Sequence, residues 1–241
     1  MTGIVSFANS GAVQAPPPAT ADGRACEGYI IGCDLGQAND FTALSILEKH
    51  RDTTSEIRQQ GFEPPTFIAT TRNIFHLRHL QRLKLGTSYP DVCSIVGTML
   101  KALPGAKLAP ALVIDKTGVG APVFDLMQKS GLKPIGVTIT GGFDENRVLS
   151  NDWRIPKRNL VSTLAVLLQS GRLKVAPDLA EGETFVSELS NFKVKISAAG
   201  HDSYSSWRES VHDDLVLSVA LAAWYGERKV MATSVTWSMA R

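Results

Sequence analysis

YIIGCDLGQANDFTALSILEKH, residues 29–50, is the stretch on which the fold turns. Its first six residues, Tyr29 to Asp34, make a short apolar run that ends in an acid. Phe41 to His50 makes a second run of β type, and the Gly, Asn and Asp between the two supply turn chemistry. The pair reads as a β-hairpin with a carboxylate at the end of its first strand. A third run, PTFIATTRNIF from Pro65, would lie beside it, so the ordered chain opens as a three-stranded meander.

Downstream the pattern alternates between helix and strand. Tyr89 to Leu103 carries Val92, Ile95, Val96, Met99 and Leu100 at helical spacing, with Pro90 and Asp91 at its start. ALVID (111–115) is a continuous apolar run of the kind buried on both faces of a parallel strand, and KTGVGAP leads from it into a helix ending near Ser130. PIGVTIT from Pro134 repeats the strand signal. Pro156 opens an amphipathic helix closed by Gly171, RLKVAP makes another short strand, and EGETFVSELSNF a further helix. VHDDLVLSVALAAWYG is apolar on nearly every side, which places it in the middle of a structure. The expectation is an α/β fold with a mixed sheet, antiparallel in its first three strands and then parallel, with helices on both faces. That is the ribonuclease-H-like order. Residues 1–27, with Pro16, Pro17 and Pro18 among small residues, read as a flexible lead, 28–228 as the domain and 229–241 as a tail.

Three acidic positions end an apolar element or sit inside one: Asp34, Asp115 and the pair Asp213–Asp214. A carboxylate in such surroundings is costly unless paired or bound to a cation. If the first and fourth strands are neighbours, Asp34 and Asp115 emerge at one edge of the sheet, and a helix crossing that edge can bring Asp214 to it. Carboxylate oxygens plus waters suit Mg²⁺ or Mn²⁺, and two such ions about 4 Å apart support phosphodiester hydrolysis. The competing reading is that each acid simply caps a turn or a helix.

GCDLGQANDFTAL (32–44), VIDKTGVG (113–120), IPKRNLVSTLAVLLQSGRLKV (155–175) and HDDLVLSVALA (212–222), in that order, resemble the C-terminal nuclease domain of the phage terminase large subunit. The resemblance runs from about Tyr29 to Tyr225. It implies a ribonuclease-H-like, two-metal endonuclease that cuts double-stranded DNA concatemers during packaging. Asp34 would bridge both ions, and Asp115 and Asp214 would each complete one site. Asp40 or Asp213 would assist through water, with Asp213 and Asp214 interchangeable as the third ligand. The partners it implies are double-stranded DNA, a terminase ATPase, the small terminase subunit and the portal protein, in the cytoplasm of a bacterial host carrying the phage or prophage. No G-x-x-x-x-G-K-[ST] occurs, so these residues by themselves would cut DNA without translocating it.

DLGQANDFT also resembles the first phosphate loop of the actin, Hsp70 and sugar-kinase group, an ATP-binding alternative to which HDDLV does not belong. A catalytically silent DNA-binding module is the other alternative. Among auxiliary residues, His212 could orient a ligand or water, and Lys116 could touch the scissile phosphate. RNIFHLRHLQRLKLG concentrates Arg72, His76, Arg78, His79, Arg82 and Lys84 into one basic cluster that could track phosphates, or simply face solvent. Lys157 and Arg158 at a helix start, and Lys193 and Lys195 on a hairpin leading to Tyr204 and Trp207, are further candidate DNA contacts.

Composition bounds these readings. The 25 Lys and Arg against 23 Asp and Glu give a net charge of +2, so any basic surface for DNA must be local. Hydrophobic residues at 44% and charged residues at 20% fit a soluble globular chain. Cys26, Cys33 and Cys93 are odd in number and lack C-x-x-C spacing, which suggests free thiols in a reducing compartment rather than a disulfide or zinc framework. No apolar run reaches the roughly 18 residues of a spanning helix.

Overall fold

The computed structural model describes residues 5–7, 10–13, 25–36, 40–58, 66–198 and 213–228. Two short strands, β1 (Val5–Phe7) and β2 (Ser10–Val13), pair with each other in a separate two-stranded sheet. The meander follows: β3 (Cys26–Asp34), β4 (Ala43–Arg58) and β5 (Thr66–Arg82), each antiparallel to the one before. The remaining elements are α1 (Tyr89–Ala102), β6 (Ala111–Asp115), α2 (Gly120–Lys129), β7 (Pro134–Thr140), β8 (Asn146–Leu149), β9 (Asp152–Pro156), α3 (Lys157–Gln169), β10 (Leu173–Val175), α4 (Gly182–Ala198) and α5 (Asp214–Arg228).

Eight strands form one sheet in the order β10-β5-β4-β3-β6-β7-β9-β8. β3, β6, β7 and β9 run parallel, so their carboxyl ends share an edge. The expected ribonuclease-H-like mixed sheet is present, and it is wider than expected. β8 and β9 extend it beyond β7, the first antiparallel to the second.

Alternation along the strands divides the core in two. Ile31, Cys33, Leu44, Ile46, Leu112 and Ile114 face α1 and α2. Ile30, Ala43, Leu47, Phe75, Val113 and Val137 face α3, α4 and α5. Twelve of the fifteen α5 residues are buried, as an all-round apolar helix requires. Its backbone comes very close to β3: a Cβ built on Gly32 would lie 1.9 Å from the Ser218 carbonyl oxygen. Only the missing side chain at position 32 lets helix and strand touch there. No helix among the described residues is long and apolar enough to cross a membrane.

Candidate active site

The contact between Gly32 and Ser218 also fixes where the acids go. Asp34 lies two residues beyond Gly32, about 7 Å along an extended strand. Asp214 lies four residues before Ser218, about 6 Å along a helix. Because α5 runs antiparallel to β3, both carboxylates leave the contact toward the same edge. Asp115 joins them through the ladder: Cys33 is paired with Ile114, and Asp34 and Asp115 are the next residues on their strands. Three segments far apart in sequence thus deliver carboxylates to the carboxyl edge of the parallel strands, where ligands bind in open α/β sheets.

Asp34 is buried, and its carboxyl is held well above the ordinary value of 3.8, first by burial and then by the charges of Asp115, Asp214 and Asp213, with Lys157 opposing. Asp115 shifts the same way through burial. The Thr117 backbone N–H, donated to Asp115 Oδ1 at 2.7 Å, and the Lys157 charge hold that rise in check. The KTGVG turn keeps this geometry because Gly120 packs where a Cβ would meet the Asp115 carbonyl oxygen at 2.1 Å.

Asp213 and Asp214 occupy different niches. Asp213 is the residue before α5, its carbonyl accepting the Leu217 N–H at 2.9 Å, and its Oδ2 accepts from Lys157 Nζ at 2.7 Å. Asp214 is the first residue of the helix, buried, with Oδ2 3.9 Å from Arg82 Nε. Arg82 also pairs with Glu188, whose Oε2 accepts the Val216 N–H at 3.1 Å. Glu188 is therefore a cap for α5 supplied from α4, and the positive end of the helix dipole gathers three carboxylates. Burial pushes the Glu188 carboxyl up to about 7, despite the Val216 N–H and Arg82, with Asp214 and Asp213 adding to the rise. Nothing in the sequence pattern singled out Glu188. It follows the buried Phe185 by three positions on an amphipathic helix, the spacing of an ordinary core-facing residue.

Asp40 is exposed at the end of the β3–β4 turn, and Thr42 Oγ1 accepts the Gly36 N–H at 3.2 Å within that turn. Lys116 is ion-paired with Asp152 and lies 4.8 Å from the centre of the Phe124 ring. Arg158 stacks 4.0 Å over the Phe143 ring and donates to the Phe143 carbonyl at 3.0 Å. His212, Tyr204 and Trp207 lie outside the described residues.

The basic stretch in β5 is not one solvated ridge. Strand alternation turns its side chains to opposite faces, and Arg78 and Arg82 are taken up by Glu48, Glu188 and Asp214, while Arg72 and Lys84 stay exposed. Lys193 and Lys195 belong to α4, which continues to Ala198, and not to a hairpin.

A different group of metal-ligating atoms lies elsewhere on the sheet. One ligand atom each of Glu48, His50 and His76 fall within 4.8 Å of one another, and all three residues are buried.

No family model matches the chain, and no curated protein matches it in sequence. Among solved structures it is similar to the human cytomegalovirus terminase nuclease domain, studied Mn-soaked and inhibitor-bound. The match covers 86% of each chain at 10% identity, with a TM-score of 0.46.

Proposed function

We propose that this chain is a divalent-metal-dependent endonuclease that hydrolyses phosphodiester bonds of double-stranded DNA, in the manner of a terminase nuclease domain. The observation that carries the reading is the convergence of Asp34, Asp115 and Asp214 at the carboxyl edge of the sheet, with burial and mutual repulsion working against the ionisation of Asp34. A protein that stabilised itself alone would not gather these charges. An all-oxygen donor set with excess negative charge fits Mg²⁺ or Mn²⁺. Asp34 would be shared between two ions, Asp115 and Asp214 would each complete one site, and Asp213 or Asp40 would assist through water. Ions held there would supply an activated water and stabilise the leaving oxygen.

The chain's own residues prepare that edge. Thr117 orients the Asp115 carboxylate through its backbone N–H. Lys157, tied to Asp213, keeps a positive charge beside the carboxylates, where a phosphate must approach. Lys116 sits just after Asp115, held by Asp152. Exposed Arg158 and Lys84 are available to the DNA backbone, and Lys193 and Lys195 on α4 are further candidates. On this reading the partners are double-stranded DNA, a separate terminase ATPase, a small terminase subunit and a portal protein, inside a bacterial host carrying the phage or prophage.

The test is a supercoiled plasmid incubated with the chain in EDTA, Mg²⁺ or Mn²⁺. Nicked and linear products are expected with either metal and none in EDTA. Salt-dependent binding without cleavage in any metal would leave a silent DNA-binding module in place of a nuclease.

A further inference from the structure

The β4–β5 hairpin contains a place where its support ends. β3 pairs with β4 only as far as Cys26 opposite His50, and β10 pairs with β5 from Phe75 to Leu77. Beyond His50 and Ile74 no further strand among the described residues pairs with them; Arg51 and Asn73 are still held by Glu27 and by Gly226 and Glu227 of α5, and past these the two strands pair only with each other to Arg58 and Thr66. A two-stranded ribbon by itself is marginal in water. At the base of this ribbon sit Glu48, His50 and His76. Glu48 lies directly opposite His76 in the ladder, and His50 is two residues on, hence on the same face.

Their chemistry is hard to account for as packing alone. His50 is fully buried, and among the described residues no hydrogen bond of normal geometry reaches either of its ring nitrogens or the buried Glu48 Oε1. His50 Nε2 stands 3.4 Å from Glu48 Oε1, and the His50 and His76 ring centres are 4.7 Å apart. Ligands about 2.0–2.1 Å from a tetrahedral ion are about 3.4 Å apart, so the His50–Glu48 separation already suits a shared cation. The second Glu48 oxygen is 3.2 Å from Arg78 Nε, an outer contact that orients the carboxylate and leaves Oε1 for the ion.

We propose that Glu48, His50 and His76 form a second cation site, for a zinc-type transition-metal ion, that clamps β4 to β5 where the ribbon leaves the sheet. Two imidazoles and one carboxylate are the donor set for such an ion and differ from the all-oxygen set at the sheet edge. Tyr29, which pairs with Glu48, is five residues from Asp34, about 17 Å along β3, so the two sites are separate. With three protein ligands the ion would keep a water in its fourth position, and the burial of all three ligands between two strands assigns it a structural role.

The experiment uses the full chain stripped with EDTA and titrated with Zn²⁺ for thermal stability, or with Co²⁺ as a spectroscopic probe. One equivalent of Zn²⁺ should raise Tm, and Co²⁺ should develop intense tetrahedral bands in the visible. Both effects should persist in Asp34→Asn, while His50→Gln and His76→Gln weaken Co²⁺ binding by more than about 100-fold, beyond the 10–100-fold typical of outer-shell losses. Absence of the bands in the wild-type chain, or bands unchanged in both histidine variants, would overturn the proposal. If a histidine variant fails to fold by circular dichroism, X-ray absorption of Zn²⁺-loaded Asp34→Asn decides. Imidazole scattering is expected, and an all-oxygen shell would refute the site.

Discussion

Asp34→Asn should abolish plasmid cleavage and, at the same time, raise the thermal stability of the metal-free chain. The loss of cleavage is expected to exceed about 100-fold, since even groups that only orient a metal ligand typically cost 10–100-fold. The gain follows from linkage. Burial and three neighbouring aspartates raise the Asp34 pKa in the fold above its ordinary 3.8. Below that ordinary value the carboxyl is neutral in both states and carries no penalty. As pH rises through the folded pKa, the native state must accept a buried charge, and stability falls. Asparagine keeps the shape and has no charge to accept, so the variant should lead the wild type by about 0.5–2 kcal/mol at neutral pH, the usual yield of a single stabilising substitution. The lead should shrink as pH falls toward 4. It should also shrink when Mg²⁺ is added to the wild type, because an ion bound to the native state stabilises it. Thermal melts of both proteins across that pH range, with and without metal, check this; a wild type more stable than Asp34→Asn at neutral pH without metal would contradict it.

Gly32→Ala should cost far more than a buried methyl group usually does. The new Cβ would sit 1.9 Å from the Ser218 carbonyl oxygen and 2.8 Å from Ser45 Oγ. The serine hydroxyl can rotate away, but the carbonyl belongs to the central helix, which is packed on β3, β4, β5 and β6. Relief requires α5 to lift from the sheet, opening the core on either side. The expected loss is about 3 kcal/mol or more, at or past the upper end for overpacking. Gly97→Ala is the control. That glycine lies within α1, where a Cβ would find only Leu132 Cδ2 at an ordinary 3.8 Å, so alanine should stabilise by about 0.5–1 kcal/mol. Urea denaturation of the two variants separates a general intolerance of substitution from the specific close approach. Equal, small effects would show that α5 is not seated on Gly32 as described.

Why the sheet was largely legible, and why parts were not, follows from where its strands bury apolar side chains. Tyr29–Asp34 and Ala111–Asp115 place apolar residues on both faces, and α5 does so all round, so each declared a central position. β5 was legible only as far as Phe75. Beyond it, His76 and Arg78 occupy the face turned toward Glu48 and His50, and a strand face filled by a buried ionic cluster looks like a polar, solvated segment. The same substitution of charge for hydrocarbon made the stretch resemble a DNA-binding ridge. β8 and β9 escaped notice for a simpler reason: NRVL is exposed throughout, and Asp152–Arg154 keep partial contact with solvent, leaving Ile155 and Pro156 as the buried residues. At the edge of the sheet, Asp34, Asp115 and Asp214 could be singled out because each interrupts apolar sequence. Glu188 could not, since its role comes from α4 meeting α5, a tertiary contact with no local signature.

On the proposed function, the clustered aspartates, and not the histidine-containing group in β4 and β5, hold the ions that cleavage requires. Mn²⁺ titration of the full chain, followed by the loss of the free-ion electron paramagnetic resonance signal, tests it directly. Two ions should bind per wild-type chain, their binding should be lost in Asp34→Asn, and both should be retained in His50→Gln. Undiminished Mn²⁺ binding in Asp34→Asn, or its loss in His50→Gln alone, would show that the aspartates at the sheet edge are not the metal site.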